Sequence, residues 1–283
     1  MRVLCLHGVG SSATILETQL RPFLQAVDSS YEFIFADGPI PSPRGPGVSA
    51  DIDGPFFSHT AGYSAEDMAD AFSHLEDTID ELGPFDGVLG FSQGGALLTS
   101  YMHRQQELRN AVPFGFALIL SSVLPCSANP TYLQGVFDKL SDRRLLTMGP
   151  AALAKTLSGE ERIFLNLLMH TIILAKENRA MLPEIDLNAY TDAHGRDAPR
   201  IMHSQLTKER IHIPTIHVTG KRDYDFMRNM SEAAFSLFDE RMVKKLQHSG
   251  SHHPPMKPVE VQSLIRAMDW AVKQSQKFQG VHL

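Results

Sequence analysis

Apolar positions along this chain come in two kinds of run. Short stretches rich in apolar and β-branched residues occur at Val3 to Leu6, Tyr31 to Ala36, Val88-Leu89, Phe114 to Ser121, Thr215 to Thr219 and Met242 to Gln247. Each predicts a strand. Between them, apolar residues recur at three- and four-residue spacing. The first such set is Ile15, Leu16, Leu20, Phe23, Leu24 and Val27, and the second is Met68, Phe72, Leu75, Ile79 and Leu82. Two more follow, Ala96, Leu97, Leu98, Tyr101 and Met102, then Val261, Leu264, Ile265, Met268 and Val272. These predict helices. Strands that are largely apolar and alternate with helices belong to a mainly parallel sheet covered on both faces. The expected fold class is α/β.

Local signals refine the picture. Ser64 with Asp67 three residues on opens a helix in the manner of a capping box, and Gly83-Pro84 closes it. From Ile40 to Tyr63 the chain is rich in proline, glycine and serine and has no period, so a long loop is expected, packed down by Phe56-Phe57. Long loops in compact domains are usually functional or disordered. The stretch from Pro125 to about Ile211 breaks the alternation, with helical patterns at Ala151 to Leu157 and Glu160 to Leu182 and a polar tract at Asp192 to Arg200. The expected organisation is a core of residues 1–125 and 212–283 carrying a mostly helical lid insertion, 126–211, over the carboxyl ends of the strands. That is where open α/β sheets bind ligands.

Composition adds exclusions. With 43% hydrophobic and 20% charged residues over 283 positions, this is an ordinary globular chain. A net charge of −6 with no basic run argues against nucleic acid and anionic membranes. No apolar stretch has the ~18 residues of a membrane span; Leu165 to Leu174 is interrupted by Asn166, His170 and Thr171. The first strand begins almost at Met1, so no targeting segment is expected ahead of the fold. Two cysteines, Cys5 and Cys126, fit a reduced, cytoplasmic setting.

The chemistry is concentrated in Gly90-Phe91-Ser92-Gln93-Gly94, a G-x-S-x-G run between a strand and a helix. A serine on so tight a turn takes strained backbone angles, and the glycines are expected to spare it collisions two residues either side. The helix N-terminus beneath Ser92 suits developing negative charge. A serine hydroxyl needs a general base, and the base needs an acid to fix its tautomer. Asp223, in the turn after the Thr215 strand, is the expected acid, with Asp225 as its alternative. The loop His248-Ser249-Gly250-Ser251-His252-His253 supplies the base, and His252 is preferred to His253 and to His248, which still belongs to the strand. Read as a metal site, those three histidines lack a nearby cysteine or acid and a zinc-binding helix motif; no metal is expected. The oxyanion hole is assigned to the backbone N–H groups of Gln93 and Val9, the latter in the turn His7-Gly8-Val9-Gly10. His7 is expected to hydrogen-bond within its turn rather than act as base.

Four blocks resemble the family serine hydrolase (FSH) group of α/β-hydrolases. They are Leu6 to Gly10, Gly90 to Ala96, Pro214 to Gly220 through Asp223, and His248 to Pro255. Phe33 to Pro39 and Pro46-Gly47 through Asp53-Gly54-Pro55-Phe56 are similar to its fungal branch, which includes polyketide-releasing thioesterases of the lovastatin-pathway type. The resemblance implies Ser92 as nucleophile, Asp223 as acid and His252 as base. The chain departs from the pattern at Gly250-Ser251, where the family often has two glycines, and at Ser121-Ser122, where it commonly has Ser-Gly. Its insertion is also longer than usual for the group.

The expected activity is that of an esterase or thioesterase working through an acyl-serine, without a cofactor. The favoured substrate is a polyketide-like or fatty acyl chain presented by an acyl carrier protein of a polyketide synthase. Phe164, Leu168 and Ile172, with Leu167 and Ile173, are the expected acyl contacts in a long apolar pocket. Alternatives are a carboxylesterase on small esters, a cyclase or acyltransferase on the same fold, and a non-catalytic ligand receptor.

Overall fold

β1 (Arg2–Leu6), buried from Val3 onward, sets the frame for the site. The computed structural model describes residues 1–142, 144, 148, 155–181 and 183–281. After β1 come α1 (Ala13–Leu24), β2 (Glu32–Ala36), the two-residue strands β3 (Ile40–Pro41) and β4 (Phe57–Ser58), and α2 (Ala65–Leu82). The Ser64–Asp67 capping box holds the start of α2. β5 (Gly87–Phe91), α3 (Gln93–Arg109) and β6 (Phe116–Leu120) follow, then the insertion. β7 (Thr215–Gly220) and β8 (Val243–His248) complete the sheet.

The six main strands lie in the order β2-β1-β5-β6-β7-β8, parallel throughout. From β1 the chain steps outward to β2, whereas from β5 it advances the other way to β8. β1 and β5 therefore flank the topological switch point, where the loops at the strands' carboxyl ends leave a crevice. Alternate side chains go to opposite faces. Val3, Cys5, Leu89, Leu118 and Ile216 pack with α1 and the closing helix, while Leu4, Leu6, Val88, Ala117 and Ile119 pack with α2 and α3. This is the α/β-hydrolase fold, a mainly parallel sheet between helices.

Between β6 and β7 lie α4 (Gln134–Leu140) and α5 (Gly159–Leu168), the latter running through a π-helical turn (Met169–Ile173) into Leu174–Glu177. The base of this segment is pinned where Ser127 N–H donates to the Arg200 carbonyl (2.9 Å) and Met202 N–H to that of Pro125 (2.9 Å). Its centre is an aromatic cluster of Phe137, Phe164 and Tyr190, with Phe164 5.3 Å from Phe137 and 5.7 Å from Tyr190 between ring centres. These residues join the same hydrophobic cluster as Leu6 and Ile119 of the sheet. The described residues of 126–211 thus extend the core above the sheet.

Two local expectations change. The 40–63 loop contains the antiparallel β3–β4 pair, and Phe57 and Ser11 exchange main-chain hydrogen bonds (2.7 and 3.3 Å). The helix expected through Leu182 ends at Glu177; Leu182 itself lies outside the described residues. It stops in a Schellman motif, with Ala180 N–H donating to the Ala175 carbonyl (2.8 Å) and Arg179 N–H to that of Lys176 (3.0 Å). Arg179 occupies the left-handed position at φ 54° where glycine is usual. Of the helix expected at Ala151 to Leu157, residues 151–154 lie outside the described residues. α6 (Asp225–Phe235), after β7, corresponds to no predicted helix, whereas α7 (Pro258–Val281) does.

Several histidines are buried. Burial pushes the imidazoles of His7, His59, His103 and His248 down, and that of His217, edged by Phe235 and Phe238 and near Lys245, down to about 3. An unfolded histidine protonates near pH ~6.5, whereas these remain neutral in the native chain. Their stabilisation is complete above that pH and is withdrawn as pH falls toward each native value. Each group costs up to about 1.4 kcal/mol per pH unit across its window. Urea unfolding at pH 7.5 and 5.5 is expected to show lower stability at 5.5, with a smaller difference in His217→Leu. A His217→Leu variant with the full wild-type difference would contradict this.

Candidate active site

β5 hands the chain to α3 through a single residue, Ser92, at φ 52° and ψ −112°. A non-glycine residue held there costs on the order of 1–3 kcal/mol. The turn is locked by Ser92 N–H donating to the Leu120 carbonyl (2.9 Å) and Gly94 N–H to that of His7 (3.0 Å). A Cβ on Gly94 would sit 2.4 Å from the Leu6 carbonyl oxygen, and one on Gly90 would sit 2.6 Å from the Gly95 main chain. The obstacles are therefore neighbouring backbone rather than the serine itself.

His252 lies in the loop between β8 and α7. Its Nε2 is 3.1 Å from Ser92 Oγ and its Nδ1 is 2.8 Å from Asp223 Oδ2. The Asp223 carboxylate is buried, and its other oxygen accepts the Tyr224 N–H (2.9 Å). A carboxylate can only accept, so the proton sits on Nδ1 and the Nε2 lone pair faces the serine hydroxyl. That is the tautomer a general base requires.

The alternatives go elsewhere. Asp225 is exposed and ion-paired with Arg228. His253 lies 2.7 Å through Nδ1 from the Pro254 carbonyl, to which it donates, and His248 Nδ1 accepts the Gly250 N–H (3.1 Å). His7 donates from Nδ1 to the Gly8 carbonyl (2.7 Å) and accepts at Nε2 from Gly38 N–H (3.0 Å), which joins the turns after β1 and β2. Among the described residues, no three His, Cys, Asp or Glu side chains are grouped to hold a metal. Among them too, neither the Val9 nor the Gln93 N–H has a hydrogen-bond acceptor. Gly8 brings the Val9 turn against the serine, since a Cβ there would lie 3.2 Å from Ser92 Cβ.

Ser92 and His252 open on a cavity of about 470 Å³. Its wall is mainly apolar, with Val9, Phe91 and Leu124 from the core, and Ile172, Met181 and Ile185 from the insertion. Of the expected acyl contacts, only Ile172 lines it. Phe164 and Leu168 are a correction: both are buried, with Phe164 in the aromatic cluster. They share a helix with Ile172, but Phe164 lies roughly 12 Å back along its axis at 1.5 Å per residue. Only the end of the apolar stripe reaches the cavity.

Two contributors escaped the sequence reading. Phe226, Met227 and Met230 of α6 also line the cavity, signalled only by their spacing just after the acid. The Gln93 side chain is buried, its Oε1 accepting from His59 N–H (2.9 Å) and its Nε2 donating to the Tyr63 hydroxyl (3.1 Å). Nothing in the motif indicates that partner.

The family follows from the whole chain. The model described as Serine hydrolase (FSH1) matches residues 1–264. The chain belongs to that family. Esterase alnB of Emericella nidulans is 34% identical to this FSH1-family enzyme over 278 residues, 98% of each chain. Hydrolase FUB4 of Fusarium oxysporum f. sp. lycopersici is 30% identical, covering 90% of this chain and 92% of its own. The crystal structure of Arabidopsis thaliana SOBER1 aligns with 98% of this chain and 99% of its own at a TM-score of 0.48 and 14% identity. Family and esterase-named relatives establish a serine hydrolase of the esterase class. Among the described residues no helix is long and apolar enough to cross a membrane.

The contacts separate the two neighbouring acids. Asp223→Asn is expected to lower kcat by about 10³- to 10⁴-fold, because it favours the wrong histidine tautomer. Asp225→Asn is expected to stay within about twofold, as a surface change. Steady-state hydrolysis of an activated ester checks both, and an equal loss in the two variants would refute the assignment.

Proposed function

We propose that this enzyme cleaves an apolar acyl thioester or ester through an acyl-serine intermediate. The observation that carries the reading is the unbroken Asp223–His252–Ser92 chain of contacts opening on an apolar cavity. Ser92 Oγ attacks the carbonyl carbon while its proton passes to His252 Nε2. The carbonyl oxygen becomes an oxyanion and accepts from Val9 and Gln93 N–H, each such donor worth about 3 kcal/mol. Collapse breaks the bond to the leaving thiol or alcohol, which takes the proton from His252. Water then attacks the acyl-serine, His252 takes its proton and returns it to Ser92 Oγ, and the free acid departs. Asp223 stays ionised and holds the imidazole. The cycle consumes no cofactor.

A mainly apolar wall favours a fatty or polyketide-like acyl group over a polar one, since burying apolar surface gives about 25 cal/mol per Å². We assign the substrate's other end to the carrier arm of an acyl carrier protein, in the cytoplasm. A fluorophosphonate probe is expected to label the wild type and not Ser92→Ala. A folded protein that resists the probe would instead be a ligand receptor on a hydrolase scaffold. Carrier-bound and short-chain thioesters are expected to turn over faster than aryl esters of matched chain. If only the aryl esters react, the thioesterase reading fails and a carboxylesterase remains.

A further inference from the structure

We propose that the segment Phe57–Tyr63, held by the buried Gln93 side chain, is the strut that sets the spacing of the oxyanion donors, so that Gln93 acts through its side chain as a positioning residue. The inference rests on the acyl-serine reading above and extends it to groups that never touch the substrate's carbonyl.

The two N–H donors sit on different pieces of chain, Val9 in the turn after β1 and Gln93 at the start of α3. One direct main-chain bond joins those pieces, Gly94 N–H to the His7 carbonyl at 3.0 Å. The β1–β5 ladder fixes the two pieces only as far as Leu6 and Gly90, and beyond it a second, offset tie restricts how the turns tilt about the Gly94 bond. The segment 57–63 supplies that tie. At one end Phe57 exchanges main-chain hydrogen bonds with Ser11, two residues beyond Val9. At the other, Gln93 Oε1 accepts His59 N–H at 2.9 Å and its Nε2 donates to Tyr63 OH at 3.1 Å. The Ser58 hydroxyl lies 3.0 Å from the same Oε1 and 2.8 Å from the Thr60 carbonyl, with one proton for the two. Between the ends, the His59 ring packs against His7 with 4.3 Å between centres. Gly38 lies so close that a Cβ there would meet the Ser58 carbonyl at 2.3 Å. Gln93, Ser58 and His59 are all buried, so the contacts of Gln93 Oε1 are made away from water. An amide in that position is strongly directional, because leaving its partners unsatisfied costs about 1–3 kcal/mol.

The same strut carries Tyr63 into the wall of the cavity. The acyl-binding wall and the oxyanion donors are therefore held by one side chain. Oxyanion donors act only when aimed at the transition-state oxygen, and a misplacement near 1 Å costs about 10²-fold.

The test is Gln93→Met, which keeps the backbone N–H and about the same length while removing the amide. Active sites are counted by fluorophosphonate titration, so that kcat refers to folded enzyme alone. The expected result is a 10- to 100-fold fall in kcat per titrated site with KM changed less than threefold. Affinity for a trifluoromethyl ketone, which forms an oxyanion on Ser92, is expected to fall by the same factor as kcat/KM. A kcat per titrated site within twofold of wild type overturns the strut, as does an equal loss of substrate affinity measured in the Ser92→Ala background. Should Gln93→Met not fold, Ser58→Ala and Tyr63→Phe each remove one contact to the Gln93 amide, and a severalfold loss in kcat with matching loss of ketone affinity is expected of both. A wild-type enzyme that the fluorophosphonate does not label sinks the acyl-serine reading, and the strut with it; labelled wild type with undiminished variants sinks the strut alone.

Discussion

The close approach of two backbones governs this site. Where β5 turns into α3, the first turn of the helix lies against the end of β1 so tightly that Gly94 has no room for a methyl group beside the Leu6 carbonyl. Contact at that range lets Gly94 donate to the His7 carbonyl and brings the Val9 turn alongside Ser92. It also obliges Ser92 to adopt backbone angles that a serine in open chain avoids. The strain is tolerable because the hydrogen bonds on both sides of the elbow are made only in that conformation. Catalysis by a serine hydrolase asks for a hydroxyl that reaches the ligand cavity beside free N–H groups, and the packing of strand, turn and helix sets the buried Ser92 in the cavity wall next to the Val9 turn.

The remaining groups reach this point from far along the chain because the sheet is parallel. Every strand ends at the same edge, so the loops after β1, β5, β7 and β8 meet there whatever their separation in sequence. Ser92 and His252 are 160 residues apart and 3.1 Å apart in space. The order of the strands explains which loops matter. β1 and β5 border the switch point and bring the Val9 turn to Ser92, while β7 and β8, adjacent to one another, bring Asp223 to His252. Burial of Asp223 and its bond to the Tyr224 N–H make it a fixed support for the imidazole rather than a mobile surface charge.

Features whose cause is local were readable in the sequence. The capping box of α2, the apolar strands, the elbow and the order serine, acid, histidine each depend on a few adjacent residues. Features whose cause is a distant partner were not. The Gln93 amide is bound to residues thirty and more positions earlier, and no spacing rule connects them. The end of the insertion helix was missed for a different reason. A Schellman motif normally announces itself with glycine, and here an arginine takes the left-handed position, so Ala180 and Met181 read as a continuing apolar stripe. They are instead the turn that lines the cavity. Choosing between Asp223 and Asp225, or His252 and His253, required knowing which side chain the turn buries.

The misplaced acyl contacts carry a consequence for how the enzyme selects its substrate. Phe164 and Leu168 were expected to face a ligand because they are large, apolar and on the insertion. They face protein because the described residues of the insertion complete the core above the sheet. A segment whose aromatic centre is continuous with Leu6 and Ile119, and whose base is pinned at Ser127 and Met202, cannot lift away without opening that core. Removing a large buried aromatic from such packing costs about 3–5 kcal/mol. The α5 helix is further tied to α6 where Asn229 Nδ2 donates to the His170 carbonyl in the π turn (3.2 Å). The cavity is therefore a standing one, shaped by Ile172 and the 178–181 turn on one side and by the methionines of α6 on the other. Methionine side chains are unbranched and repack at low cost, and they stand on both sides of this cavity, Met227 and Met230 on α6 and Met181 on the insertion, so its shape adjusts at those positions while Ile172 and Ile185 hold the remainder.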